Sequence, residues 1–321
     1  MSDQATGERT LRDVGEFALI DRLITDIPAS NVVDIGPGDD AAVVVCPDGR
    51  VVACVDVLVE GKHFRRDWST AIDIGRRAAA ASLSDVNAMG AVSTALLVGV
   101  AAPGDLPAAW LAEAGAGLKE EAASAGAVLV GGDTTEGDLI VLSVTALGSL
   151  EGRSAITRGG AKAGDVVAVC GRLGWAGAGL AVLGRGFRSP KVLVDAHRFP
   201  VIDYTSGPRA ATAGATAMID VSDGLLADLG HIAEASSVAI DVRVENLEVP
   251  EPLQAAASAY NVDPRVWMLT GGDDHALVAC FPAKKKLPAG FTAIGVVADG
   301  PAQVTVDGAH FEGLAGFTHF A

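Results

Sequence analysis

The sequence predicts an α+β fold made of two α+β domains. The chain has 321 residues, which is enough for two domains of ordinary size. Segments with helical spacing and runs rich in β-branched residues are mixed along it without strict βαβ alternation. A glycine-, alanine- and lysine-rich segment at 158–165 interrupts this pattern. We therefore predict an N-terminal domain at 1–155 and a C-terminal domain at 156–321.

The first predicted domain begins with a helix and a hairpin. Residues 15–27 place apolar side chains at helical spacing and are followed by Pro28, which ends the helix. Two β-rich runs at 41–45 and 51–57 surround Pro47-Asp48-Gly49. Proline, aspartate and glycine in that order are typical of a turn, so we predict that the two runs pair with each other.

Two long helices and two further strands complete this domain. Residues 69–89 are rich in alanine and contain no proline before Gly90. A second helix is predicted at 105–125, with Asp105 as its N-cap. The β runs at 127–130 and 139–147 flank residues 131–138, whose glycines and aspartates predict a loop.

The second predicted domain also combines β runs with glycine- and aspartate-rich loops. A β run starts at Val166, and two later segments end in glycine- and aspartate-rich loops at 219–225 and 270–275. No repeat of fixed period is visible. The pattern again indicates strands mixed with helices.

Charge and hydropathy exclude several classes of partner. The net charge of −16 makes binding to nucleic acid or to an anionic membrane unfavourable. No apolar run approaches the roughly 18 residues of a membrane span, and residues 1–12 lack the apolar core of a signal peptide. We expect a cytoplasmic protein. The four cysteines stand apart without C-x-x-C spacing, so we predict neither a zinc site nor disulfides and interpret them as small core residues.

Aspartates recur where a β run or helix meets a turn. They stand in Gly36-Pro37-Gly38-Asp39-Asp40, Val55-Asp56, Ser84-Asp85, Gly132-Asp133, Asp220-Val221-Ser222-Asp223-Gly224 and Gly272-Asp273-Asp274. Each motif alone is common turn chemistry. Several carboxylates brought together repel one another unless a cation neutralises them, and oxygen ligands suit Mg²⁺. The set therefore predicts a magnesium site.

The usual phosphate-binding loops are absent from the sequence. Residues 36–41 match the loose pattern G-x-G-x-x-A, but two aspartates would face the pyrophosphate and a valine-rich β run follows where a helix is required. We find neither a Walker A sequence nor protein-kinase signatures. If the protein binds ATP, metal ions must hold the phosphates.

Taken in order, the motifs resemble the thiamine-monophosphate kinase family. The resemblance runs from about residue 15 to residue 320 and rests on 15–17, 36–41, Asp56 with 59–64, 83–85 with 88–91, 131–134, 157–158 with 164–165, 220–225 and 271–274. It implies an N-terminal α+β domain whose sheet pairs with a second subunit, a C-terminal α+β domain and an ATP site between them. It also implies Mg²⁺, ATP and thiamine phosphate as ligands and a homodimer.

The same resemblance implies roles for individual residues. The magnesium ligands would be Asp40, Asp56, Asp85, Asp133, Asp220 and Asp223. The ATP contacts would be Gly132, Asp133, Arg158 and Ser222. The thiamine phosphate contacts would be His63, Asp273 and Phe317. Two places depart from the family: Cys54-Val55 replaces a frequent Ser-Thr, and Ala125 replaces a frequent aromatic residue implied to contact adenine.

The implied reaction needs no catalytic side chain. A phosphate monoester has a second pKa of about 6 and is already a dianion at neutral pH, so metal-assisted in-line transfer of the γ-phosphate needs no general base. Two other functions stay open: an enzyme like aminoimidazole-ribonucleotide synthetase, and a non-catalytic sensor of nucleotide or thiamine phosphate. Selenophosphate synthetase would need a reactive cysteine or selenocysteine near the N-terminus, and the first cysteine here is Cys46 inside a β run.

Overall fold

The computed structural model describes residues 9–28, 30–37 and 41–317, and the chain divides into two compact units. The first unit comprises Met1–Leu83 and Ser93–Ser149, and the second comprises Ser84–Val92 and Leu150–Ala321. Both contain helices and strands, which confirms the α+β class. The predicted boundary after residue 155 lies close to Leu150. The short segment Ser84–Val92 belongs by its contacts to the second unit.

The first unit is built on a four-stranded sheet. Its helices are α1 (Leu11–Val14), α2 (Glu16–Ile24), most of α3 (Ala71–Ala88) and α4 (Ala108–Ser124). Its strands are β1 (Val33–Ile35), β2 (Val43–Val44), β3 (Val52–Val59), β4 (Val92–Ala102), β5 (Val128–Glu136) and β6 (Val141–Ser149). The sheet has the order β3-β6-β4-β5, and β1 pairs with β2 separately. The β3–β6 pair is antiparallel and the β4–β5 pair is parallel.

Helices α3 and α4 confirm the two long helices predicted from the sequence, and glycines let them pack closely. A Cβ atom on Gly75 would lie 2.0 Å from the carbonyl oxygen of Ala114, and one on Gly117 would lie 2.1 Å from that of Ile72. Any larger residue at either position would push the backbones apart. Glycine is therefore required at this helix crossing.

The second unit is built on a six-stranded sheet. Its helices are α5 (Trp175–Gly184), α6 (Lys191–Arg198), α7 (Ser206–Ala213), α8 (Leu225–Ser236), α9 (Glu251–Tyr260) and α10 (Pro264–Thr270). Its strands are β7 (Asp165–Cys170), β8 (Ala217–Asp220), β9 (Ala239–Val242), β10 (Leu277–Pro282), β11 (Thr292–Ala298) and β12 (Gln303–Val306). The sheet order is β12-β9-β11-β7-β10-β8. Only β12–β9 is parallel. Met218, Phe281 and Phe291 pack in its core.

Three predicted elements are wrong. The runs at 41–45 and 51–57 do not form a hairpin, since β2 pairs with β1 and β3 pairs with β6. Asp105 is not the N-cap of α4, which begins after Pro107. Most of the predicted loop at 131–138 is strand, because β5 continues to Glu136 alongside β4.

The cysteines lie in different environments. Cys170 and Cys280 are buried as predicted and Cys54 is half-buried, whereas Cys46 is exposed. The interpretation of all four as core residues is therefore wrong for Cys46.

Membrane insertion by a helix finds no support in the part of the chain that the structure describes. There, every helix is too short or too polar to cross a bilayer.

Candidate active site

In the second unit, an end of each of three neighbouring strands lies at the same end of the sheet. Leu277, the first residue of β10, pairs with Asp220 at the end of β8 and with Cys170 at the end of β7. The loops 171–174 and 221–224, which follow β7 and β8, and the loop 271–276, which precedes β10, therefore meet these strands at adjacent positions. Two of them contain predicted site residues.

Asp220 is buried at the end of β8 and is held there by two side chains. Ser84 donates a hydrogen bond from Oγ to the Oδ2 atom of Asp220 at 2.8 Å, and His275 Nδ1 lies 2.9 Å from the same oxygen. Burial pushes the pKa of Asp220 upward, but hydrogen bonding and charge from His275, the bond from Ser84 and the charge of Arg158 outweigh it. The net pKa lies below the ordinary value, so the carboxylate stays ionised.

The loop after Asp220 is fixed by two other segments of the second unit. The backbone N–H of Asp273 donates to the carbonyl of Ser222 at 2.9 Å, and that of Phe317 donates to the carbonyl of Asp223 at 2.9 Å. Four predicted site residues thus lie in one backbone cluster. The Phe317 side chain is 61% exposed, so this residue is not a core anchor.

Glycine is needed for this close approach. A Cβ atom on Gly272 would lie 2.3 Å from the carbonyl oxygen of Ser222, and one on Gly316 would lie 2.4 Å from that of Asp223. Both distances are far shorter than van der Waals contact. The two glycines therefore bring the segments that carry Asp273 and Phe317 against the loop.

Asp228 supports the same loop from helix α8. Its Oδ2 atom accepts hydrogen bonds from the backbone N–H groups of Asp223 and Gly224, both at 3.1 Å. Burial, with the charge of Asp220, raises the pKa of Asp228 to about 7. Asp228 carries no predicted role, and its contacts show that it positions Asp223.

Asp274 anchors the neighbouring loop to helix α5. Its carboxylate accepts hydrogen bonds from the backbone N–H groups of Gly174 and Ala176, the latter at 2.8 Å, and so caps the helix N-terminus. Burial raises the pKa of Asp274 to about 7. The residues on either side, Asp273 and His275, have φ angles of 66° and 50°, a left-handed conformation that is uncommon outside glycine. The anchor holds both of them in place.

In the first unit, Asp56 lies on strand β3 and faces helix α3. Ser82 Oγ lies 2.8 Å from both Asp56 Oδ2 and the carbonyl oxygen of Val144, and the Cys54 thiol donates to the Ser82 carbonyl at 3.1 Å. Val55 points to the opposite face and is 59% exposed. Cys54 therefore shares the face of Asp56, and Val55 does not.

His63 follows β3 in a tight turn. Its Nδ1 atom accepts a hydrogen bond from the backbone N–H of Val59 at 3.0 Å. A ring nitrogen that accepts carries no proton, so in the neutral ring the proton is on Nε2. His63 is half-buried.

Gly132 and Asp133 lie on strand β5 rather than in a loop, and both are exposed. Gly132 pairs with Val98, and a Cβ atom there would lie 2.1 Å from the Val98 carbonyl oxygen. The sheet order separates β5 from β3 by two strands. The first unit therefore does not bring Asp133 together with Asp56.

Two of the remaining predicted residues, Asp85 and Arg158, belong to the second unit. Asp85 is half-buried on α3, three residues after Ser82. Arg158 is exposed, and its carbonyl accepts a hydrogen bond from Ser236 Oγ at 2.9 Å. Asp40 lies outside the described residues.

The comparisons with known proteins identify the family. The chain is 50% identical over 317 residues to the thiamine-monophosphate kinase of Mycobacterium tuberculosis, covering 98% of this chain and 95% of that protein. The chain belongs to the thiamine-monophosphate kinase family. Residues 38–150 also match the family described as AIR synthase related protein, N-terminal domain.

Solved structures of the thiamine-monophosphate kinase family have the same two-domain fold. The enzyme from Stenotrophomonas maltophilia K279a superimposes with a TM-score of 0.79 at 33% identity, covering 92% of this chain and 98% of that one. AaThiL complexed with AMPPCP and TMP gives a TM-score of 0.80 at 30% identity, covering 97% and 99%.

Four side chains around the site carry no role predicted from the sequence: Ser84, Asp228, Asp274 and His275. Ser84 and Asp274 stand directly beside the predicted residues Asp85 and Asp273, and His275 is two residues from Asp273. This closeness in sequence is the signal that could have found them. Asp228 lies within a helix, and its sequence context does not distinguish it from a surface carboxylate.

Proposed function

We propose that this chain transfers the γ-phosphate of ATP to thiamine phosphate and forms thiamine diphosphate and ADP. Membership of the thiamine-monophosphate kinase family supports this. The structural observation that carries the proposal is the loop cluster of the second unit, in which an ionised, buried Asp220 lies beside Ser222 and Asp223 and the segments of Asp273 and Phe317 close over the loop.

The reaction is a direct in-line transfer. The acceptor phosphate is a dianion at neutral pH and can attack without losing a proton. The main barrier is the repulsion between two anions, so the site must supply positive charge and alignment. No side chain has to act as general base.

We propose Mg²⁺ as the cation, held by Asp40, Asp56, Asp85, Asp133, Asp220 and Asp223. The donors fit the ion, since all are carboxylates and Mg²⁺ prefers oxygen ligands. The lowered pKa of Asp220 also fits, because it keeps a ligand ionised. Bound Mg²⁺ would neutralise phosphate charge during transfer.

The chain's own residues would position the two substrates. We propose that Gly132, Arg158 and Ser222 contact ATP. His63 would contact the acceptor phosphate. Asp273 would balance the thiazolium charge or accept from the aminopyrimidine, and Phe317 would offer its exposed ring for stacking.

We further propose that the enzyme works in the cytoplasm as a homodimer. The outer face of its first-unit sheet carries Val55 and Val57, which are 59% and 47% exposed. Apolar residues side by side on an edge strand favour cover by another chain. A monomeric mass in light scattering at micromolar concentration would contradict the dimer.

The decisive experiment incubates the purified chain with ATP, Mg²⁺ and thiamine phosphate and quantifies ADP and thiamine diphosphate by chromatography. We expect equal amounts of both products. Unphosphorylated thiamine is the matched acceptor control and should give no product. Binding of thiamine phosphate without turnover would instead indicate a sensor, and turnover only of another phosphorylated acceptor would indicate a different enzyme of the wider group.

A further inference from the structure

The last residue of helix α8, Ser236, uses its hydroxyl group to hold a distant segment of the chain. Ser236 Oγ donates a hydrogen bond to the carbonyl oxygen of Arg158 at 2.9 Å. The same oxygen accepts hydrogen bonds from the backbone N–H groups of Gly160 and Ala161, at 3.0 and 3.1 Å. A hydroxyl group has one proton to donate and two lone pairs that accept. Residues 158–161 therefore use its whole hydrogen-bonding capacity.

Residues 157–161 also lie against strand β8. The backbone N–H of Met218 donates to the carbonyl oxygen of Thr157 at 3.1 Å. A Cβ atom on Gly160 would lie 2.1 Å from the carbonyl oxygen of Thr216, the residue before β8. Strand β8 stands at the end of the sheet order, so the segment lies along an edge strand. The segment is thus held between β8 and the end of α8.

The side chain of Arg158 belongs to the candidate active site. Its positive charge acts on the buried carboxylate of Asp220, the last residue of β8. Arg158 is exposed, and an arginine side chain has many rotamers. The position of its backbone therefore decides which part of the site the guanidinium group can reach. Ser236 fixes that position.

Both ends of α8 support residues of the same candidate site. In the first turn, Asp228 accepts hydrogen bonds from the backbone N–H groups of Asp223 and Gly224. At the last residue, Ser236 holds Arg158. Several apolar side chains of the helix are buried between these two ends. Because a helix packed into the core moves little, the two supports stay at a constant separation.

We propose that Ser236 is a positioning residue for ATP binding, which acts by holding Arg158 where its guanidinium group meets the phosphates. The inference rests on the proposed function, in which Arg158 contacts ATP. Loss of the hydroxyl group would release residues 158–161 from α8, and the arginine could then occupy positions away from the site. ATP would bind more weakly. The residues proposed to bind thiamine phosphate lie in other segments, so binding of the acceptor would not change.

A double-mutant cycle on the full chain tests this. Isothermal titration calorimetry with Mg²⁺ measures the Kd of an ATP analogue in which a methylene group replaces the β–γ bridging oxygen, so that no phosphate is transferred. We expect the Kd to rise about three- to tenfold in Ser236→Ala and by at least about tenfold in Arg158→Ala. The double variant should match Arg158→Ala within about twofold, because a residue that acts through the arginine has no effect once the arginine is gone. The Kd for thiamine phosphate should stay constant in Ser236→Ala.

Conservative and control substitutions separate positioning from general stability. Ser236→Thr keeps the hydroxyl group and should retain the wild-type Kd for the analogue. Ser258→Ala is the matched control, since the Ser258 hydroxyl bonds to Gln254 within its own helix. Thermal unfolding verifies that each variant is folded. If Ser236→Ala does not fold, Ser236→Cys takes its place in the cycle, because a thiol is only a weak donor and acceptor.

The outcomes distinguish this proposal from the proposed function. An unchanged Kd for the analogue in folded Ser236→Ala overturns the positioning role. Effects of the two substitutions that multiply in the double variant also overturn it, as does an unchanged Kd in Arg158→Ala. A wild-type chain that binds the analogue but does not phosphorylate thiamine phosphate overturns the proposed function and leaves the role of Ser236 in ATP binding intact.

Discussion

The Nδ1 atom of His275 lies 2.9 Å from the Oδ2 atom of Asp220, and both side chains are buried. Ser84 also hydrogen-bonds this carboxylate. His275 is also the next residue after Asp274, which caps helix α5. The pair therefore connects the end of β8 to the loop that carries Asp273.

His275→Ala should weaken both the fold and the reaction. It leaves a buried carboxylate without one partner, which costs about 1–3 kcal/mol in the free energy of unfolding. The pKa of Asp220 should rise because the lowering effect of His275 is lost. We expect the variant to need more Mg²⁺ for half-maximal activity, measured by magnesium titration at pH 7. His310→Ala, which changes an exposed histidine near the C-terminus, is the control. An unchanged magnesium requirement would argue against a role for the pair in metal binding.

Activity should require a divalent cation and Asp85. Asp85→Asn keeps the shape of the side chain and removes one charge from the proposed metal ligands, so we expect turnover to fall at least tenfold, or about 1.4 kcal/mol. Excess EDTA should abolish activity and added Mg²⁺ should restore it. Asp105→Asn removes an exposed carboxylate in the first unit and should change neither. Near-normal turnover of Asp85→Asn at ordinary magnesium concentration would refute the assignment.

Phe317 should affect one substrate and not the other. Phe317→Ala removes a ring that is 61% exposed, so stability should change little. If the ring stacks on thiamine phosphate, kcat/KM for this acceptor should fall by about 1–3 kcal/mol while KM for ATP stays constant. Phe187→Ala, which removes another exposed ring, is the matched control. Equal changes in the KM values for thiamine phosphate and for ATP would show that Phe317 does not bind the acceptor selectively.

Asp274 should make stability depend on pH. Burial raises its pKa from 3.8 to about 7, so between about pH 4 and pH 7 the folded chain holds a proton that the unfolded chain has released. The free energy of unfolding therefore falls as pH rises through this range, by up to about 1.4 kcal/mol per pH unit for this group.

The Asp274→Asn variant lacks this titration. Urea unfolding in EDTA at several pH values should give a stability difference between wild type and variant that decreases as pH rises from about 4 to about 7. Asp299→Asn, at an exposed position, should keep the wild-type slope. A difference that is constant with pH would show that Asp274 does not titrate in this range.

Local patterns predicted the helices better than the strand pairing. Residues 69–89 contain no proline, and residues 105–125 contain one only near their start. The structure has helices at Ala71–Ala88 and Ala108–Ser124. By contrast, residues 131–136 look like a loop because of Gly131 and Gly132, and they become strand only through pairing with β4. That pairing is non-local. The close approach of Gly132 to Val98 explains why glycine stands at this position of a strand.

The sequence predicted the site aspartates that stand in a turn after a strand. It did not predict the aspartates that hold the loops in place. Asp220 and Asp223 stand in a glycine-containing turn that marks them. Asp228 and Asp274 are also buried, but their carboxylates accept hydrogen bonds from backbone N–H groups. Such contacts depend on the tertiary fold. The separation of Asp56 from Asp133 was likewise invisible, because strand order cannot be deduced from single motifs.

The bond from the backbone N–H of Phe317 to the carbonyl of Asp223 has a consequence for the order in which the chain matures. Strand β7 pairs with β10 and β11, which are translated more than a hundred residues later, and closing such long loops is slow. The loop of Asp223 receives this contact only when residue 317 has left the ribosome. A nascent chain can therefore complete its first-unit sheet early, yet this contact of the Asp223 loop forms only after residue 317 has been synthesised.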